Sequence, residues 1–126
     1  MPRRFTQHYT PSEAAALLPQ VGPWLAELRW IRDRLKRLDE RLVVLLEEAG
    51  DQGGERVEDW VRHLDRLRLV QGEFLRREIQ ILDLERGQLG FPSLRGHREV
   101  YLCWQEGEAG IQFWREIDGS GTTGLA

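Results

Sequence analysis

The chain has 126 residues, a formal net charge of −3 at pH 7, a pI near 5.7 and a single cysteine. This length suits one domain, because two domains with independent cores need more residues. One cysteine excludes a disulfide framework and a cysteine metal cluster within the chain, and the acidic balance disfavours a protein that mainly holds a nucleic-acid backbone. Since no apolar run nears the roughly 20 residues that cross a bilayer and residues 1–11 lack a signal-like apolar core, we expect a cytoplasmic protein without a membrane partner.

The first predicted element is a short helix over residues 11–18. Its start is marked by Thr10, a capping threonine, and by Glu13, which completes a capping box. Pro19 and Pro23 should then interrupt the helix, because proline lacks an amide hydrogen and disfavours helical geometry in the preceding residue. We therefore expect a kink or turn before the next element.

A long helix is predicted over residues 20–49, where apolar residues recur in alternating steps of three and four. This heptad spacing is typical of helices that pack on other helices. The positions expected to form the assembly seam are Leu28, Ile31, Leu35, Leu38, Leu42 and Leu45. Gly50 should end the helix, because glycine suits the left-handed residue that follows a helix C-terminus.

A second helix is predicted over residues 55–82, with a less regular apolar stripe. Only the turn of residues 50–54 separates the two helices, so they should form an antiparallel, coiled-coil-like hairpin. Because such a pair leaves apolar surface uncovered, we expect a homodimer that forms a four-helix bundle about a two-fold axis. The alternative is that the N-terminal helix and the sheet fold back over both helices.

Residues 83–117 are predicted to form a loop and then a β-hairpin. Frequent glycine and proline disfavour a helix at first, and residues 100–105 and 111–117 then read as two strands. Either residues 79–84 or residues 88–91 could supply a third strand. The strands should pack near one end of the helices.

The predicted fold is therefore a single α+β domain, mainly α, in which a long antiparallel helical hairpin carries a short N-terminal helix and a C-terminal β-hairpin. Residues 118–126 are rich in glycine, serine and threonine, and we expect them to be a flexible tail.

Short motifs that identify a family are distributed over nearly the whole chain. They are Asp83-Leu84-Glu85-Arg86-Gly87, Phe91-Pro92, Gly96-His97-Arg98-Glu99-Val100, Leu102-Cys103-Trp104, Gly107-Glu108 and Phe113-Trp114, preceded by Phe5-Thr6, Glu13-Ala14 and Leu18-Pro19. This set resembles the bacterial family called domain of unknown function 2203, which implies no established activity. Its members usually carry aspartate where Gly90 stands and histidine where Arg115 stands, so a site built on those two residues would lack both here.

Six carboxylates would converge if the β-hairpin folded against the segment after the second helix. They are Asp83, Glu85, Glu106, Glu108, Glu116 and Asp118. Oxygen-rich clusters suit divalent cations, and paired carboxylates can act as acid and base. The spacing matches no familiar metal loop, however, and carboxylates in turns are usually solvated. No cofactor is predicted, and a divalent metal stays an open alternative.

Other reactive or aromatic residues have simpler interpretations. Cys103 lies in an apolar strand, where a buried and inert thiol is the usual state. The three histidines, His8, His63 and His97, lack the close pairing of a zinc site. Trp104 and Trp114 are expected to anchor the sheet core, although an exposed pair would suit an interaction surface.

A phosphate-binding stripe could be formed by four helical arginines: Arg62, Arg66, Arg76 and Arg77. Acidic residues are interspersed among them, so ion pairs on a solvated helix explain the pattern and a nucleic-acid partner is not favoured. The main hypothesis is a non-enzymatic module for oligomerisation or protein interaction, with no catalytic residue assigned. The alternative is a divalent-metal or small-ligand-binding protein, with enzymatic activity left open, whose pocket lies between the β-hairpin and the helices. The lining predicted for that pocket is Asp83, Arg86, Trp104, Glu106, Glu108 and Trp114.

Overall fold

The structure, a computed structural model, describes residues 3–49, 54–119 and 121–125, with side chains described outside 41–49 and 54–56. In these ranges two helices precede five strands. They are α1 (Pro11–Ala49), α2 (Gly54–Arg77), β1 (Gln80–Asp83), β2 (Gln88–Arg95), β3 (Arg98–Gln105), β4 (Phe113–Glu116) and β5 (Thr123–Gly124). The strands form one antiparallel sheet in the order β1-β2-β3-β4-β5. Neither described helix has an apolar stretch long enough to cross a bilayer.

The predicted fold class is therefore wrong in its architecture, although the α+β assignment is partly right. The chain has two helices followed by a five-stranded antiparallel sheet, where a helical hairpin with a terminal β-hairpin was expected. Both segments considered for a third strand are strands, β1 and β2. The tail expected at residues 118–126 includes β5. Of the turn expected at residues 50–54, residues 50–53 lie outside the described residues and Gly54 begins α2.

The short N-terminal helix does not exist as a separate element. Pro19 and Pro23 lie inside α1, which is continuous across both of them. Each proline removes one backbone hydrogen bond, but the flanking residues Ala14, Val21 and Leu25 are fully buried in the core. Because burial of apolar side chains contributes roughly 1.5–3 kcal/mol for a residue such as leucine, packing offsets the cost of the prolines.

The second helix ends at Arg77, earlier than residue 82, and Glu78 is the residue that stops it. Glu78 has a φ of 57°, the left-handed conformation in which a helix commonly ends. The Ile79 amide donates to the Phe74 carbonyl at 3.0 Å and the Glu78 amide donates to the Leu75 carbonyl at 3.1 Å. These two bonds close the helix and turn the chain into β1.

The sheet has two faces because side chains alternate along its strands. The inner face packs on the helices and carries Leu89, Phe91, Leu102 and Trp104, which join Ala14, Val21, Leu25, Leu28, Val70, Phe74 and Ile79 in one buried cluster. The register pairs Leu102 with Trp114 and Tyr101 with Arg115. Trp114 therefore lies on the inner face, whereas Arg115 lies on the opposite, outer face with Tyr101, Cys103 and Phe113.

The two helices pack side by side with their contacts in opposite order along the chain. Glu27 pairs with Arg66 at 2.5 Å, and Arg34 pairs with Asp59 at 3.7 Å. Of the predicted assembly seam, Leu28, Ile31 and Leu38 are buried within the single chain and Leu35 is half-buried. The side chains of Leu42 and Leu45 lie outside the described part.

Residues 3–10, called the N-terminal strap below, lie against the sheet ahead of α1. The strap meets β2 where β1 no longer covers it: the Tyr9 amide donates to the Pro92 carbonyl at 2.7 Å, and the Ser93 hydroxyl donates to the Tyr9 carbonyl at 2.5 Å. Phe5 packs on Tyr101 with ring centroids 6.0 Å apart. The strap therefore covers the edge of β2 at Pro92 and Ser93, where β1 does not reach.

Candidate functional site

A cavity of about 210 Å³ opens on the outer face of the sheet, away from the helices. Strands β2, β3 and β4 form its floor, and the turn after β3 forms one rim. Its walls include Leu82, Cys103, Gln105, Glu108, Phe113 and Arg115. Apolar and charged side chains thus meet in one concave site on a rigid sheet, which is the usual composition of a small-molecule pocket.

Arg115 is the unusual member of this cavity, called the outer-face cavity below. Its side chain is half-buried, and its Nε atom is buried without a hydrogen-bond partner in the described part of the chain. The guanidinium carbon lies 6.0 Å from the centroid of the Tyr101 ring. Each other half-buried arginine whose side chain is described has a carboxylate partner: Arg29, Arg32, Arg34 and Arg77. Arg115 has neither an ion pair nor a hydrogen bond to any described residue.

Glu108 brings the opposite charge to the same cavity. It is half-buried, and its Oε1 atom accepts a hydrogen bond from the Gln105 amide at 2.6 Å. The Glu108 carbonyl accepts a hydrogen bond from Trp104 Nε1 at 2.9 Å. Within the described ranges no cation lies within ion-pair distance of the Glu108 carboxylate, so these bonds fix its position while its charge stays uncompensated.

Cys103 lies between these two charges on β3. Burial raises the pKa of its thiol, Glu108 raises it further, and Arg115 acts in the opposite direction. The Sγ atom lies 3.8 Å from the Tyr101 carbonyl. A thiol with a raised pKa is protonated near neutral pH and is therefore a poor nucleophile.

Most residues of the predicted ligand pocket have partners elsewhere. Glu106 Oε1 accepts a hydrogen bond from Arg29 of α1 at 2.5 Å. Asp83 Oδ1 accepts a hydrogen bond from the Arg86 amide at 3.0 Å, which closes the turn after β1. Glu106 therefore joins the turn after β3 to α1, and Asp83 and Arg86 close the turn after β1. Of the predicted lining, the outer-face cavity includes Glu108 and Trp104.

The two tryptophans of the predicted pocket do not form an exposed pair. Trp104 is 5% exposed and packs in the core opposite Leu89. Trp114 is half-buried on the inner face, with the Arg95 guanidinium 4.6 Å from its ring centroid. Its Nε1 atom is buried and has no hydrogen-bond partner among the described residues. Trp104 contributes to the lining of the outer-face cavity although it is almost fully buried.

The remaining carboxylates are spread over the protein. Glu85 pairs with Arg32 of α1, Glu116 pairs with Arg98 of β3, and Asp118 pairs with Arg4 of the strap. In the part of the chain that the structure describes, no group of three histidine, cysteine, aspartate or glutamate side chains is placed to hold a metal ion. Glu85, Glu116 and Asp118 therefore link elements of the fold.

Sequence reasoning missed the role of Leu82, Phe113 and Arg115 in one cavity. In the sequence, Arg115 stands where the family motif usually has histidine, and Leu82 falls within the predicted second helix. The alternation of Phe113 and Arg115 about Trp114 is visible in the sequence and places the first two on one face. The register with β3 decides which face that is, and no sequence pattern displays it.

Comparison with protein families gives one match. The model of a family described as "Uncharacterized conserved protein (DUF2203)" matches residues 7–124. No curated protein matches the chain, and no solved structure matches it. The matched range includes the strap from Gln7, both helices and all five strands. It also includes Gly90 and Arg115, which both lie on the outer face.

Proposed function

We propose that this chain, which belongs to the uncharacterised DUF2203 family, is a protein-interaction module that assembles into homodimers through the exposed apolar side of α2. The observation that carries this proposal is a stripe of exposed aliphatic residues along the helix. Val57, Val61 and Leu75 are 47%, 44% and 75% exposed. We call these three residues, with the half-buried Leu64, the α2 stripe.

The α2 stripe follows the helical repeat. Steps of four and three residues join Val57, Val61 and Leu64, and Leu75 falls in line with them after three turns of the helix. Only Arg68 interrupts the line with a charge. Apolar residues that line up on a helix surface are the pattern of a helix that packs against another element.

The residues whose side chains the structure describes leave this side of α2 uncovered. Val70 and Phe74, about 140° and about 100° around the helix axis from Leu75, are 2% exposed and belong to the core. The predicted seam of α1 is already covered within one chain at Leu28, Ile31 and Leu38. The dimer contact is therefore assigned to α2 instead of α1.

A second copy of the chain is the partner that we infer. A helix of 24 residues is about 36 Å long, which is enough for two copies of α2 to lie along each other about a two-fold axis. With α1 behind each α2, this arrangement gives a four-helix bundle. Burial of the α2 stripe supplies its apolar centre, and the flanking arginines and carboxylates supply a polar rim.

The test is the molar mass in solution, measured by light scattering after size-exclusion chromatography at micromolar concentration. We expect twice the chain mass for the native protein and the mass of one chain for Leu75→Lys and Val61→Lys, because a buried lysine in the stripe is unfavourable. The matched control is Leu69→Lys. Leu69 is 64% exposed on the same helix but lies about 120° around its axis from Leu75, and its substitution should leave the dimer intact.

A native protein with the mass of one chain at these concentrations contradicts the proposal. The proposal also fails if Leu69→Lys separates the subunits as effectively as Leu75→Lys. Circular dichroism of each variant distinguishes loss of assembly from loss of folding, because lysine at an exposed helix position is compatible with a folded chain.

A further inference from the structure

We propose that the outer-face cavity binds a small zwitterion of the amino-acid type, whose carboxylate pairs with Arg115 and whose ammonium pairs with Glu108. This inference is independent of the dimer, because the cavity lies on the outer face of the sheet and the α2 stripe lies on a helix. The chemical class follows from the charges of the cavity, its walls and its size.

The first feature of the cavity that defines its ligand is the uncompensated guanidinium of Arg115. A half-buried cation loses part of its hydration, and the other half-buried arginines whose side chains are described recover that loss from a carboxylate. Arg115 recovers it from no described residue, and its Nε atom is buried without an acceptor. A guanidinium in this state favours a ligand carboxylate, which it can bind through two parallel hydrogen bonds.

The second feature of the cavity that defines its ligand is the carboxylate of Glu108. The Gln105 amide occupies one of its oxygen atoms, and the geometry leaves the other oxygen without a described partner. Arg115 and Glu108 both line the cavity, yet they form no ion pair with each other. A ligand that carries both charges can therefore bridge them.

The third feature of the cavity that defines its ligand is the apolar wall between the charges of Arg115 and Glu108. Leu82, Cys103 and Phe113 line the cavity, and Phe113 is 39% exposed. The volume of about 210 Å³ lies below the range of roughly 300–1,000 Å³ typical of drug-sized ligands. A nucleotide is too large for this space, whereas an amino acid with an aliphatic side chain matches its size and polarity.

Ligands with one charge suit the cavity less well. A simple carboxylic acid would satisfy Arg115 but would place its chain beside the Glu108 carboxylate with no compensating cation. A simple amine would satisfy Glu108 and leave Arg115 unpaired. Burying either charge without a partner is costly, so the pair of protein charges selects a ligand with both.

The test is a thermal-unfolding screen of the full chain against the common amino acids, followed by isothermal titration calorimetry with three matched probes. The probes are L-leucine, 4-methylpentanoate, which lacks the amino group, and 3-methylbutylamine, which lacks the carboxylate. If leucine or another aliphatic amino acid stabilises the protein, its two single-charge analogues should bind at least tenfold more weakly, because each loses one charge-assisted contact.

The variants that test the two anchors are Arg115→Gln and Glu108→Gln. Each should weaken binding of the amino acid roughly tenfold or more, and Glu108→Gln keeps the acceptor for the Gln105 amide. The matched controls are Arg98→Gln and Glu116→Gln, which remove the same charges from an exposed ion pair at 2.7 Å outside the cavity. Both controls should bind as the native protein does. If Arg115→Gln does not fold, Arg115→Lys retains the charge and loses the planar, two-bond geometry.

Three results overturn the proposal. One is the absence of stabilisation by any amino acid in the screen. Another is binding of the acid or the amine probe as tightly as the amino acid. The third is unchanged affinity in both Arg115→Gln and Glu108→Gln. A dimer that binds no amino acid would contradict this inference alone, and a monomer that binds one would contradict only the proposed assembly.

Discussion

His8 Nε2 lies 2.8 Å from Glu99 Oε2, and the two side chains are 16% and 12% exposed. The same carboxylate accepts hydrogen bonds from the Arg4 amide at 2.8 Å and from the Phe5 amide at 3.1 Å. One glutamate of β3 therefore holds three residues of the N-terminal strap. Hydrogen-bond donors on the strap stabilise the ionised carboxylate of Glu99. The attachment of the strap should therefore depend on that charge.

Glu99→Gln should reduce the dependence of stability on acid pH. Burial works to raise the pKa of Glu99, but the hydrogen bonds from His8 and the two amides outweigh it and hold the pKa below its ordinary value. A lowered pKa contributes stability that is present above the unfolded-state pKa of about 4.3 and is lost as pH falls through the folded-state pKa. Urea unfolding between pH 7 and pH 3 should show a shallower acid loss in Glu99→Gln than in Glu116→Gln, which changes an exposed carboxylate. Parallel profiles would contradict this role.

Glu78→Gly should separate the helix end from the strap. The carboxylate of Glu78 accepts hydrogen bonds from the Thr6 amide at 3.0 Å, the Gln7 amide at 3.2 Å and the Thr6 hydroxyl. Glycine removes these bonds but relieves the left-handed backbone by about 1 kcal/mol. Hydrogen exchange of the two amides should accelerate more in Glu78→Gly than in Glu78→Gln, with α2 still protected. Unchanged exchange in the strap would show that other contacts hold it.

Arg29 and Glu106 should be energetically coupled, because their ion pair joins α1 to the turn after β3. Their side chains are only 24% and 33% exposed. A double-mutant cycle with Arg29→Met and Glu106→Gln should give a coupling energy of about 1 kcal/mol in urea unfolding. The exposed pair Arg98 and Glu116, 63% and 56% exposed, should give roughly 0–0.5 kcal/mol. Equal coupling in both cycles would exclude a special role for Arg29.

Gly87→Ala should destabilise the protein more than Gly96→Ala. The two glycines have similar φ values of 71° and 64°, so both substitutions incur about the same left-handed cost. A Cβ at Gly87 would lie 2.7 Å from Glu106 Cβ, whereas nothing lies within 4 Å of a Cβ at Gly96. The difference in unfolding free energy should be about 1–3 kcal/mol, the usual cost of overpacking. A difference near zero would mean that Glu106 moves aside freely.

Cys103 should react slowly with iodoacetamide near neutral pH, because burial raises the pKa of its thiol above the ordinary value. The rate should still be rising at pH 9. Arg115→Gln should shift the profile to higher pH, since Arg115 favours the thiolate, and Glu108→Gln should shift it to lower pH. A full thiolate rate at pH 8 would contradict the raised pKa.

The helices were the most predictable part of the fold. The recurring apolar residues of α1 and α2 mark the faces that pack, and the capping residues at the start of α1 form the expected pair: the Glu13 amide donates to Thr10 Oγ1, and the Thr10 amide donates to Glu13 Oε1. The prolines misled the prediction because local propensity was weighed without the core that surrounds Val21 and Leu25. The end of α2 was missed because glutamate is an uncommon residue in the left-handed position.

The sheet was underestimated because β2 contains Gly90 and Pro92, which usually indicate a turn. Pro92 lies beyond the reach of β1, whose pairing with β2 extends only over residues 88–90. Proline is tolerated there because no strand needs its missing amide. Gly90 fits closely, since a Cβ would lie 3.0 Å from Tyr101 Cγ and would require the neighbouring side chain to shift slightly. Both reasons depend on neighbours that are distant in sequence.

The candidate site was predictable only in its parts. Glu108 was selected from the sequence, and it does line a cavity. Its counterpart Arg115 was recognised as a departure from the family motif, but the sequence does not reveal that the two share one surface. That proximity depends on the β3–β4 register and on the turn closed by the Glu108 carboxylate.

The strap also constrains the order of events during synthesis. Arg4 and its acceptor Glu99 are separated by 95 positions, so at roughly 5–20 residues per second the ribosome adds Glu99 about 5–19 s after Arg4. Through that interval the strap has no β3 to bind, and the edge of β2 that it will cover does not yet exist. The earliest residues of the described chain are thus among the last to reach their final place, and they close the structure only when the sheet is nearly complete.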